Sequence, residues 1–182
     1  MSWKNTESRY GTASLTLHWL MVILLAAVYA CIELRGLFPK DSVERDLMKQ
    51  FHFMLGLSVF VLVWLRLLLR AISPTPRIEP APPAWQMLPA KLMHLALYLL
   101  MIGLPFAGWL MVSAAGKPVP FFGLELPPLV DKNPDLAKQI KEWHELGGAV
   151  GYWLIGLHAV AGIAHHYVIR DNTLLRMLPR RG

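Results

Sequence analysis

A single cysteine, Cys31, among 182 residues excludes an internal disulfide framework, a Cys-x-x-Cys metal knuckle and the Cys-x-x-Cys-His attachment of a c-type haem. Charge is scarce too. Asp, Glu, Lys and Arg make up 16% of the chain, well below the roughly 25% of an average soluble domain. Set against 55% hydrophobic residues, that shortage excludes intrinsic disorder, which needs high charge and low hydrophobicity, and argues against a water-soluble globule. Acidic residues number 12 against 18 basic ones, a formal net charge of +6. The basic residues bracket apolar runs and do not gather on one polar module, which points to a lipid bilayer and away from nucleic acid.

What is abundant is long apolar sequence. Crossing a hydrocarbon core of about 30 Å takes about 20 apolar residues in a helix. Four runs reach that length, at about 15–34, 51–72, 92–115 and 146–169. The expectation is one domain, 1–182, with an all-α fold: an integral membrane four-helix bundle. The first run exceeds the 7–15 residues of a signal-peptide core and reads as a span. Pro74, Pro76, Pro80, Pro82, Pro83 and Pro89 predict an extended surface loop between runs two and three. The connection from Gly116 to Trp143 is expected to be polar, with a short surface helix over 135–142. Counting Lys and Arg places 10 on the side of the N-tail, the proline-rich loop and the C-tail, where Arg176, Arg180 and Arg181 lie, and 8 on the other. Both termini are therefore expected in the cytoplasm.

Seven histidines carry the chemistry. An imidazole in hydrocarbon is costly without a partner, so a functional reading is the default there. His144 and His158 are 14 residues apart, about 21 Å along a helix and about 40° out of phase. They share one face at two depths. With the fourth run entering from outside, His158 lies at the inner level with His18, and His144 lies at the outer level with His52. Two stacked bis-histidine sites in a four-helix bundle suit two b-type haems, because noncovalent haem needs axial imidazoles and an apolar slot. Gly147, Gly148, Gly151 and Gly162 near the histidine face, with Gly56 one turn after His52, fit either a slot for a flat macrocycle or ordinary small-residue helix packing. Arg66 and Arg70 fit either propionate partners of the inner haem or snorkelling interfacial anchors.

The order and spacing of these residues resemble the bacterial cytochrome b561 family. The resemblance rests on Leu17-His18-Trp19, Glu33-Leu34-Arg35-Gly36, His52, the stretch Val63 to Arg70, Trp143-His144-Glu145, Gly156-Leu157-His158, Ala164-His165-His166-Tyr167 and the tail Asp171 to Met177. It covers almost the whole chain. It implies a diheme cytochrome with iron held by His18 and His158 and by His52 and His144. It also implies an oxidoreductase that converts periplasmic superoxide to oxygen and passes the electron to ubiquinone. Other branches serve as quinone-linked cytochrome b subunits of dehydrogenases, which need a protein-docking area that short loops scarcely provide. A proton-coupled transporter also uses intramembrane histidines, but has no need of facing pairs at two levels.

Two further sites follow from position. His165 is seven residues beyond His158, about 20° out of phase and about 10 Å deeper. With His94 and Arg70 at similar depth, it is expected either at a ubiquinone site or at a haem propionate. At the outer end Lys49 precedes His52 by three residues and Lys141 precedes His144 by three. The outer side holds 8 basic and 9 acidic residues, so attraction of superoxide must be local. Lys49 and Lys141, with Arg45 and Lys138 further out, are expected either to focus the anion on the haem edge or merely to bind propionates or solvate helix ends.

Overall fold

The computed structural model describes residues 3–178. Four helices dominate: α1 Thr12–Leu34, α2 Val43–Ile72, α3 Ala84–Ala114 and α4 Pro134–Ala164. Each contains a window long and apolar enough to span a bilayer. The helix starts are chemically marked. Ser42 caps α2 by accepting from the Arg45 amide at 3.2 Å, and Asn133 caps α4 by accepting from the Leu136 amide at 3.0 Å, with Pro134 in the first turn, where a missing N–H costs nothing. A single 3₁₀ turn, Arg35–Leu37, follows α1. Arg45 closes that corner by donating to the carbonyls of Arg35 and Phe38 at 3.3 and 3.0 Å, which supplies partners where a helix end leaves carbonyls free. It therefore belongs to the corner, not to an outlying group of free cations.

Three elements differ from the sequence expectation. The proline-rich loop is shorter, because α3 begins at Ala84 and contains Pro89. Pro89 forfeits one bond, to the carbonyl of Trp85, a residue exposed at the helix entrance where water can replace it. The presumed surface helix over 135–142 and the fourth apolar run are one continuous helix, α4, whose polar first three turns stand about 18 Å proud of the run. Between α3 and α4, β1 Val119–Phe121 pairs antiparallel with β2 Leu124–Leu126 in the register Phe121 to Leu124, a small addition to the all-α bundle. Its two-residue turn, Phe122-Gly123, has φ of 47° and 85°, the positive pair that matches strand twist in a type I′ hairpin. Val119, buried against Leu57 and Val112, plugs this end of the α2–α3 seam.

The buried core is thin: Met21, Val59, Val63 and Met101, flanked by Leu24, Leu25, Val28 and Tyr98. Large apolar side chains such as Leu99, Trp153 and Val160 lie outside it, exposed, as lipid-facing residues must in a bundle whose solvent is hydrocarbon. Close backbone packing joins α1 to α2, α2 to α3 and α3 to α4, whereas α4 does not approach α1 or α2 so closely. A seam runs between α4 and the α1–α2 pair.

The end of the bundle nearest the termini is tied together by three segments. Asn5 donates to the Pro74 carbonyl at 3.1 Å. Trp19 donates to the Met177 carbonyl at 2.7 Å. Asn172 and Glu79 exchange bonds of 2.9 and 3.0 Å. Arg176 donates to the Pro76 carbonyl and lies over the Tyr10 ring, 5.7 Å from its centroid. Arg180 and Arg181 lie outside the described residues.

Candidate functional site

The histidines sort as their spacing predicts. Across the seam, His18 of α1 faces His158 of α4 with ring centroids 6.4 Å apart and planes at 72°. One level away, His52 of α2 faces His144 of α4 at 6.1 Å and 77°. Two imidazoles that share one metal, each bonded at about 2 Å, stand about 6 Å apart between centroids. Among the described residues no three His, Cys, Asp or Glu side chains converge as around a structural metal ion. The geometry is that of two facing imidazole pairs.

Hydrogen bonds set the ring protons. His52 Nδ1 lies 3.0 Å from the Val28 carbonyl, which can only accept, so Nδ1 carries the proton and Nε2 keeps a free lone pair. His144 Nδ1 is buried without a hydrogen bond of its own, with the Leu104 backbone beside it. At the other level Arg66 donates to His18 Nδ1 at 3.1 Å, so the residue expected at a propionate here rests on a histidine. His94 donates from Nδ1 to the Ala90 carbonyl at 2.6 Å and sets its ring 5.5 Å from that of His158. Arg70 turns elsewhere, over the Tyr98 ring at 5.9 Å.

The His52–His144 pair opens on a cavity of about 390 Å³ between α1, α2, α3 and α4. The glycines in and beside it separate into two kinds. A Cβ on Gly151 would meet Tyr29 Oη at 2.0 Å, and one on Gly147 would meet Leu104 Cδ2 at 2.6 Å, so these two serve helix packing. Gly56 and Gly148 line the cavity, and a Cβ on either would meet nothing within 4 Å. They are a cradle that side chains would fill. Gly108, which the sequence reading missed, backs His144, since a Cβ there would sit 3.3 Å from its Cε1. The residues therefore fit a flat, apolar group held between two imidazoles.

Lys49 and Lys141 both line this cavity, together with Arg35, Glu33 and Glu145. Neither lysine is isolated: Lys49 Nζ lies 2.7 Å from Asp46 and Lys141 Nζ lies 3.4 Å from Glu145. Tyr152 donates to Glu33 at 2.7 Å and packs against Tyr29 with ring centroids 4.3 Å apart and planes at 48°. Arg35 is the third cation at this mouth, and it stands in the quoted Glu33-Leu34-Arg35-Gly36 stretch. His165 lies beyond α4 in a π-helical turn, His165–Ile169, with its Nδ1 2.6 Å from the carboxylate of Asp171.

The family model for prokaryotic cytochrome b561 matches residues 9–180. The chain is 42% identical over 174 residues to "Cytochrome b561 homolog 1" of Escherichia coli (strain K12), covering 96% of this chain and 99% of that protein. It is 38% identical over 175 residues to "Probable superoxide oxidase CybB" of Yersinia pestis, covering 96% and 98%, and 31% identical over 190 residues to "Cytochrome b561 homolog 2" of Escherichia coli (strain K12), covering 98% and 95%. A match over nearly the whole chain, on a bundle of four membrane-length helices whose histidines face each other across one seam, places this protein in the prokaryotic cytochrome b561 family, electron-transfer proteins of the membrane that use b-type haem.

Proposed function

We propose that this protein is a diheme superoxide:ubiquinone oxidoreductase. His52 and His144 hold the haem on the periplasmic side, and His18 and His158 hold the haem on the cytoplasmic side. The observation that carries the reading is the pair of facing imidazoles at each of two levels, 6.1 and 6.4 Å apart, on opposite walls of one seam. The excess of Lys and Arg on the side of the termini favours a cytoplasmic location for that end, and the relative called a probable superoxide oxidase supports superoxide as the donor.

When bound, each b haem supplies a one-electron carrier. Everything else falls to the chain. Lys49, Lys141 and Arg35 at the cavity mouth attract an anionic donor to the His52–His144 level. Superoxide gives up one electron there and leaves as oxygen, with no proton required. Val28 keeps the His52 proton on Nδ1, so that Nε2 faces the metal. At the His18–His158 level, His18 would likewise carry its proton on Nδ1 to leave Nε2 for iron, and Arg66, which now donates to Nδ1, would then be available to a haem propionate. His94 and His165 stand on the route to a quinone at that end.

The test is direct. Purified protein should carry two b haems per chain, superoxide should reduce them, and added ubiquinone should reoxidise them. One haem per chain, or reduction that ignores superoxide, would overturn the reading.

A further inference from the structure

The proposed quinone reaction leaves one buried acid unused. Resting on that reading, we propose that Asp171 is a positioning residue that makes His165 the proton donor to the quinone at the cytoplasmic end of the bundle.

The contact between the two is built by the backbone. Residues six apart on a regular α-helix point about 120° away from each other. Here α4 widens into the π-helical turn His165–Ile169, Arg170 takes the left-handed conformation at φ 61°, and the chain folds back so that the Asp171 amide bonds the His165 carbonyl at 3.1 Å. The side chains then meet at 2.6 Å, with Asp171's side chain 1% exposed and His165's 22% exposed. The other carboxylate oxygen of Asp171 accepts from the Thr173 amide at 2.8 Å. Asn172, bonded to Glu79, pins the loop to the proline-rich segment.

The chemistry follows from which atoms are spoken for. An ionised carboxylate only accepts, so Asp171 holds a proton on His165 Nδ1 and leaves Nε2 as the nitrogen that gives or takes a proton. Burial alone would raise the Asp171 pKa, but the bonds from His165 and Thr173 outweigh it and hold the carboxyl below its usual range, so it stays ionised at neutral pH. A quinone becomes a quinol by gaining two electrons, from two donor oxidations at the opposite end, and two protons. Protonated His165 gives its Nε2 proton to one carbonyl oxygen, remains neutral with Nδ1–H on Asp171, and is reprotonated at Nε2 by water. The second proton comes from water.

The experiment compares two oxidants on the reduced, haem-loaded protein: ubiquinone-1, which takes up protons, and ferricyanide, which does not. Asp171→Asn and His165→Gln should each slow reoxidation by ubiquinone-1 by about 10²-fold, the lower end for general acid catalysis, leave reoxidation by ferricyanide at the parental rate and leave both haem spectra intact. Asp171→Glu should recover most of the ubiquinone rate. Parental ubiquinone rates in both variants would overturn the proposal, and so would equal slowing with both oxidants, the mark of a structural role. If Asp171→Asn loses haem, His165→Gln decides by the same comparison. A parent protein that ferricyanide reoxidises and ubiquinone-1 does not would instead sink the quinone reading itself.

Discussion

His52 of α2 bonds through Nδ1 to the carbonyl of Val28 on α1, at 3.0 Å. The bond ties the two helices together and orients the ring, so that its other nitrogen faces His144 across the seam. A second partner of this kind fixes the tautomer of a ligating histidine and raises its basicity, and it explains why replacing His52 should have a local effect.

His52→Ala or His144→Ala is expected to remove the haem of that level and leave the other in place, while His18→Ala or His158→Ala should do the reverse. Reduced-minus-oxidised spectra with a pyridine haemochrome count will read the outcome. Two haems retained in all four variants would show the ligands to lie elsewhere.

The glycines allow a finer test. Gly56→Leu should place a side chain in the cradle and lower haem content with little effect on helix packing, because a Cβ there meets nothing within 4 Å. Gly151→Ala should instead destabilise the protein, by about 1–3 kcal/mol as overpacked sites do, since its Cβ would lie 2.0 Å from Tyr29 Oη. Adding Tyr29→Phe should restore part of that loss in thermal unfolding, while a double variant no more stable than Gly151→Ala would place the strain elsewhere.

Charge reversal at the mouth addresses the donor. Lys49→Glu and Lys141→Glu should slow haem reduction by superoxide about tenfold each, as loss of electrostatic focusing does, and the parental rate should fall as salt rises. Arg35→Glu should behave in the same way. A salt-independent parental rate would leave Lys49 and Lys141 with only their ion-pair roles.

Asp171 links stability to acid. Its folded-state pKa lies below the ordinary carboxylate value of 3.8, so its contribution is fully present above the unfolded pKa and is lost as pH falls through the folded one. Thermal unfolding followed between about pH 5 and pH 3 should show the parent losing stability more steeply than Asp171→Asn. Parallel curves would assign the acid sensitivity to other carboxylates.

The spans, the four-helix bundle and the facing of the histidines were legible in the chain because each depends on local periodicity: run length counts residues against bilayer thickness, and fourteen residues nearly close a whole number of helical turns. The continuity of α4 was hidden, because the polar turns before Leu146 read as a connection, although Asn133 and Pro134 mark its start. Pairings between elements could not be read in this way. Nothing in sequence separates Gly56, which faces open space, from Gly151, which receives Tyr29, since the difference lies in the neighbouring helix. The same holds for Lys49 with Asp46 inside one turn, legible by spacing, against Arg66 on His18, which joins residues 48 positions apart. The meeting of His165 with Asp171 was decided by the turn itself. A π-helical step and one left-handed residue reset the phase that a regular helix would impose, and only the folded backbone shows where that reset falls.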